Sequence, residues 1–311
     1  MSSSSLPFTR QDISIPSHTP GQSLSAWLYL PLSSTQARHP TLLLGHGLGG
    51  LRTFRLDAYA TFFAREGFLV ILFDYRYWGS SGGEPRGLIS PARQEEDWES
   101  ALSYALKHDS VDADKIGLLG SSFGGGHVIR IASKHPKEVK ATVSQCPFTD
   151  GIASAATVGW KVLPQLAFWG LLDLAASFVG GTVRVKLIAK PGEVALMNAP
   201  DAVPGYLALR PSNVSSSTLT STAIPARLCL QLPMLRPGAS AAQIQTPILF
   251  AICGKDSVAP IGPTLKYARQ AKRGEVKLYE DMGHFDIYIG EAYDKATRDY
   301  LAFFKKNLMA G

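Results

Sequence analysis

Three short stretches carry side chains that could together perform acyl-transfer chemistry. Residues 120–126, GSSFGGG, set Ser122 in the pattern G-x-S-x-G straight after the apolar run KIGLLG. A strand that enters such a turn and leaves as a helix lifts the serine hydroxyl clear of its neighbours. The start of that helix aims unbonded N–H groups at developing negative charge. A phosphate-binding turn would need Gly-Lys-Ser/Thr at its end, and no lysine stands there. The dinucleotide pattern G-x-G-x-x-G is absent from the same position. A glycine turn that merely packs a helix on a sheet is the plain alternative.

A serine hydroxyl is a poor nucleophile until a base takes its proton. Seven histidines are available. His18 and His39 fall in the N-terminal strand region, and His108 and His135 at the ends of surface helices. His127 sits on the helix after the turn, where a core role fits, and His46 belongs to HGLGG, residues 46–50. His284, in DMGHFDIY, directly follows the last predicted strand, and loops at the carboxyl ends of parallel strands are where sites gather. The base needs an acid to fix its tautomer. Asp256, after the predicted strand 247–253, is assigned that part, while Asp281 and Asp286 flank His284 and are assigned to its loop. The tetrahedral intermediate needs two N–H donors, which fall to Phe123 and to Leu48. His46 is expected to brace the HGLGG loop.

The elements that must position these residues follow a broken series. ISIPS and LSAWLYLPL suggest antiparallel strands. From TLLLGHG onwards, short apolar runs alternate with helical spacing: LDAYATFFAREGF, LVILFDYR, SPARQEEDWESALSYALKH, KIGLLGS, FGGGHVIRIASKHP and KATVSQCP. Ser90 is the expected N-cap and Pro91 the first helical residue of the fourth of these seven segments. This rhythm predicts an α/β chain, with a mainly parallel sheet covered on both faces. The series stops near Phe148 and resumes with TPILFAICG, GPTLKYARQAK, EVKLYE and EAYDKATRDYLAFFKKNL. The expected organisation is a core of residues 1–150 and 241–311 carrying a mostly helical cap of 151–240.

At 311 residues, 45% hydrophobic and 18% charged, the chain can bury a large core. The net charge of +6 is scattered, without the clustered basic face that nucleic acid would need. Cys146, Cys229 and Cys253 form no CxxC pair, which suits a reducing compartment and a cytoplasmic location. MSSSSLPFTRQD lacks the pattern of a secretory leader, and the sequon at Asn213 is expected to stay unmodified. The longest apolar run, from Val162, contains Pro164 and Asp173 and is read as a buried or lid helix rather than a membrane span. No group of His, Cys, Asp or Glu has metal-ligand spacing, so neither metal nor cofactor is expected.

Taken together these residues resemble the α/β-hydrolase superfamily over nearly the whole chain. FDYRYWGSSGGEPR is similar to the segment after the second parallel strand in its dienelactone-hydrolase and peptidase-like branches. PGEVALMNAPDAVPGY, ICGKDSVAP and GHFDIYIGEAYD resemble a group of microbial hydrolases that includes fungal polyketide transferases and thiohydrolases. The resemblance implies an eight-stranded-type sheet and a triad serine that accepts or releases an acyl chain. Ser122 argues against the dehalogenase and epoxide-hydrolase branches, whose nucleophile is aspartate.

The expected activity is hydrolysis of a lipophilic ester or thioester by Ser122, His284 and Asp256. The alternative is an acyltransferase or cyclase using the same residues. A non-catalytic binding protein would be expected to have lost one of these positions, and all are filled. The cap run GWKVLPQLAFWGLLDLAASF supplies Leu163 and Leu166 besides Trp160, Phe168 and Trp169, and the last three are expected to wall the pocket. The expected partner is a small apolar acyl substrate, with an acyl-carrier domain as donor and a homodimer as open expectations.

Overall fold

The computed structural model of the protein describes residues 7–32, 38–217 and 222–309. Residues 1–6 of the N-terminal stretch read for a leader lie outside the described residues. Eight strands form one sheet in the order β1-β2-β4-β3-β5-β6-β10-β11. They are β1 (Phe8–Pro16), β2 (Ser23–Pro31), β3 (His39–Gly45), β4 (Leu69–Phe73), β5 (Val111–Ser121), β6 (Val139–Gln145), β10 (Ile248–Cys253) and β11 (Gly274–Tyr279). β1 and β2 run antiparallel and β2 meets β4 antiparallel; every later pair is parallel.

The apolar runs of β3, β4 and β10 are buried on both faces. Along β3, Leu42 and Leu44 enter the core on one side of the sheet while Leu43 enters the core on the other. β4 divides in the same way, Val70 and Leu72 against Leu69, Ile71 and Phe73. This is the two-sided burial expected of a parallel sheet clad in helices. The helices are α1 (Leu56–Arg65), α2 (Pro91–Lys107), α3 (Phe123–Lys134), α8 (Ile261–Ala268) and α9 (Gly290–Phe304). Ser90 precedes α2 in extended conformation, but its side chain makes no capping bond, and Pro91 opens the helix.

Between β6 and β10 lie α4 (Gly151–Ala156), α5 (Leu163–Ser177), α6 (Ala202–Ala208) and α7 (Leu228–Gln231). The same stretch also holds a three-stranded sheet that the sequence pattern did not suggest: β7 (Arg184–Ile188), β8 (Ala195–Met197) and β9 (Ala223–Pro225), in the order β8-β7-β9. Strands of three residues are too short to display a period of two. Asp173 explains itself here. Fully buried on α5, it accepts from Arg227 Nε at 2.7 Å and from the Val183 amide at 2.7 Å. Burial works against its charge, but these bonds hold its pKa below the ordinary value. Leu187, Met197 and Tyr206 share one apolar core with Phe54 and Phe123, so the inserted stretch packs directly above the sheet. Among the described residues no helix is long and apolar enough to cross a membrane.

Candidate active site

Ser122 stands at the turn between β5 and α3 with φ 55° and ψ −115°, in the left-handed region that costs a non-glycine residue about 1–3 kcal/mol. The surroundings hold it there. Its N–H donates to the Gln145 carbonyl at 2.9 Å, and its own carbonyl accepts from Phe148 N at 2.9 Å. Two glycines make the turn feasible by close approach. A Cβ on Gly120 would lie 2.1 Å from the Gly124 carbonyl oxygen, and one on Gly124 would lie 2.6 Å from that of His46. The spacing G-x-S-x-G is therefore a steric requirement of the turn.

Asp256 follows β10 and His284 follows β11, so both loops open at the carboxyl edge of the sheet beside Ser122. His284 Nε2 lies 3.0 Å from Ser122 Oγ, and its Nδ1 lies 2.7 Å from Asp256 Oδ2. The other carboxylate oxygen accepts from the amides of Val258 (2.9 Å) and Ala259 (2.7 Å), which fixes its aim. Burial alone would lower the pKa of His284, but the adjacent Asp256 carboxylate outweighs it and raises it to about 9. The imidazolium that forms when His284 takes a proton is thus strongly stabilised. Asp281 is exposed and pairs with Lys255 at 2.9 Å, whereas Asp286 accepts from Gly283 N at 2.7 Å within the His284 loop.

Phe123 is the first residue of α3, where an amide has no carbonyl one turn back to bond. Leu48 follows β3, and both residues line the same cavity as Ser122. The loop is braced from below: His46 Nδ1 lies 3.0 Å from its neighbour's carbonyl at Gly47, and Asp74 accepts from Arg52 N at 2.8 Å. Burial lowers the pKa of His46, so it stays neutral in this setting. His127 is buried and hydrogen-bonded to Gln94 at 2.9 Å, away from the serine.

Several supporting residues had no signal in the sequence pattern. Ser121 Oγ is hydrogen-bonded to the Tyr288 hydroxyl and accepts from Gln145 Nε2 at 2.7 Å, directly behind the Ser122 turn. Register pairs Ser121 with Gln145 across β5 and β6, so a correct strand alignment would have brought them together. Tyr206 on α6 donates to the carbonyl of Gly49, tying the inserted stretch to the loop that bears Leu48. Leu196, Met197, Asn198, Phe148 and Leu232 line the cavity together with Ser122.

The aromatic wall expected from the sequence is a different one. Trp160, Phe168 and Trp169 are 78%, 55% and 39% exposed, and none of them lines a cavity that reaches Ser122. On α5, Leu166 and Gly170 turn inward and Phe168 and Trp169 turn outward. A run apolar on nearly every face has no period from which the inward side could be chosen.

Cys146, Asp256 and His284 bring potential metal-ligand atoms within 4.8 Å of one another. Both ring nitrogens of His284 are already engaged, one with Asp256 and one with Ser122, and Cys146 Sγ lies 3.8 Å from the His284 carbonyl. The donor set fits a hydrogen-bonded relay better than a cation.

Comparison with known proteins agrees with the fold. The family model for X-Pro dipeptidyl-peptidase (S15 family) matches residues 20–184, just over half of the chain. The quorum-quenching protein AidA of Acinetobacter baumannii is 42% identical over 91% of this chain and 90% of its own. Thiohydrolase aneE of Aspergillus aculeatus is 26% identical over 94% of this chain and 91% of its own. Among solved structures, the α/β hydrolase GrgF of Penicillium sp. sh18 superposes with a TM-score of 0.79 at 21% identity. That match covers 97% of this chain and 100% of the other and shows the shared fold. The chain belongs to the X-Pro dipeptidyl-peptidase (S15) family and is an enzyme of the α/β-hydrolase type.

Proposed function

We propose that the protein cleaves a lipophilic ester or thioester through an acyl-enzyme on Ser122. The observation that carries this reading is the unbroken line Ser122 Oγ–His284 Nε2–His284 Nδ1–Asp256, at 3.0 and 2.7 Å. Ser122 Oγ attacks the acyl carbon as its proton passes to His284 Nε2. The amides of Phe123 and Leu48 hold the oxyanion. Collapse breaks the bond to the leaving oxygen or sulfur, which takes the proton from His284. Water, deprotonated by the same nitrogen, then releases the acid and restores Ser122.

The substrate class follows from the cavity walls. No acidic or basic side chain is among the described residues around the cavity; Leu48, Phe148, Leu196, Met197 and Val258 supply most of the surface. A peptide's terminal ammonium would find no carboxylate there, which supports a neutral, apolar acyl group over an X-Pro peptide. The relative named as a thiohydrolase supports including thioesters.

A second reading, acyl transfer to an alcohol or other acceptor, is favoured by the mostly apolar lining of the cavity beside Ser122, which offers bulk water few partners. Purified protein is incubated with decanoyl thioester and p-nitrophenyl ester, with and without added alcohols. Free acid as the main product, lost in Ser122→Ala, supports hydrolysis. Predominantly new ester supports transfer, and full turnover by Ser122→Ala overturns both.

A further inference from the structure

The cavity beside Ser122 has a volume of about 40 Å³. That is well below the ~300–1,000 Å³ usual for small-molecule sites. A second apolar space of about 400 Å³ lies between α4, α5 and the segment after α7. That volume is within the ~300–1,000 Å³ usual for small-molecule sites. Leu196 and Leu232 line both spaces, so the partition between them consists of these side chains.

We propose that this second space is a groove that seats the distal part of the substrate's acyl chain. The chain enters it from Ser122 past Leu196 and Leu232. The proposal rests on the acyl-enzyme reading of Ser122. Its walls set the ligand chemistry. Ala155, Ala156 and Ala167 leave room along α4 and α5, and Val158, Leu163 and Leu166 supply apolar surface. The groove offers no charged side chain, whereas Ser154, Thr157 and Asn198 stand at the Ser122 end. A flexible hydrocarbon with its only polar atoms at one end matches this gradient. A peptide segment would bring backbone N–H and C=O groups with no side-chain partners to meet them.

Asn198 fixes one side of the partition. Its Nδ2 donates to the carbonyls of Val158 and Glu193, each at 3.0 Å, and so holds β8 and Leu196 in place. Leu232, half-buried at the start of a short 3₁₀ turn, is the side that gives way as a chain passes.

The test uses p-nitrophenyl acetate and decanoate with Ala156→Trp and Ala167→Trp. Both alanines are exposed on the groove, so the ring fills the groove without displacing core. Decanoate kcat/KM should fall by about tenfold or more, the order expected when apolar contacts are blocked, while acetate changes less than about twofold. Ala156→Leu should give a smaller change of the same order if the ring proves too large to fold. Unchanged decanoate turnover, or equal loss on both esters in folded variants, overturns the groove. If Ser122→Ala keeps full activity, the Ser122 reading fails and the groove is judged by binding alone. A fluorescent decanoyl probe should then bind unmodified protein at least about tenfold more tightly than Ala156→Trp, and equal binding overturns the proposal.

Discussion

The hydroxyl of Tyr206, on the inserted helix α6, donates its proton to the backbone carbonyl of Gly49, next to Leu48. This bond joins the inserted stretch to the loop that carries one of the two proposed oxyanion donors. Both partners are buried. Tyr206→Phe would leave the carbonyl unpaired, at a cost of about 1–3 kcal/mol. The expected outcome is a lower melting temperature and a kcat reduced several-fold, with KM changed less. A second, remote stabilising substitution should restore the melting temperature but not kcat; recovery of both would show that the bond acts only through stability.

Asp256→Asn removes the charge that raises His284. His284 must be neutral to accept the Ser122 proton, so activity should climb with pH through a midpoint above 6.5, towards about 9. In Asp256→Asn the opposing effect of burial gains weight and the midpoint should fall, with kcat lower by roughly 10⁴. Steady-state profiles between pH 5 and 10 check both the direction and the size.

His284 lay within reach of sequence reasoning because each part of the site follows a strand. The strands ending at Ser121, Cys253 and Tyr279 run parallel in one sheet, and that brings their carboxyl-end loops to one edge. What could not be read was orientation within the cap. Leu166 and Phe168 belong to one helix with no polar stripe, and only packing against Ala226–Leu230 decides that Gly170 and Leu166 face inward. Tyr288 was silent because its role depends on reaching Ser121 through space.

The outward turn of the α5 aromatics has its own consequence. Phe168→Glu and Trp169→Glu should leave the ratio of decanoate to acetate turnover within about twofold of the parent, since neither reaches the cavities near Ser122. A ratio shifted by an order of magnitude would restore these rings to the acyl wall.

His127 gives the fold an acid-sensitive element. Burial is the main cause lowering its pKa, to about 4 against an ordinary 6.5. Because the folded value is the lower one, its neutral form stabilises the fold fully above 6.5. That contribution is lost as pH falls towards about 4, up to about 3 kcal/mol. Urea unfolding at pH 7 and pH 4.5 should show a smaller difference for His127→Gln than for the parent chain.

The central claim is that Ser122 is the nucleophile activated by His284. Protein treated with a fluorophosphonate and digested should carry a single phosphonyl adduct, on the peptide containing Ser122. The adduct should be absent in Ser122→Ala and formed at least about a hundredfold more slowly in His284→Ala. An adduct on another residue, or none on a folded protein that still turns over ester, would contradict the account.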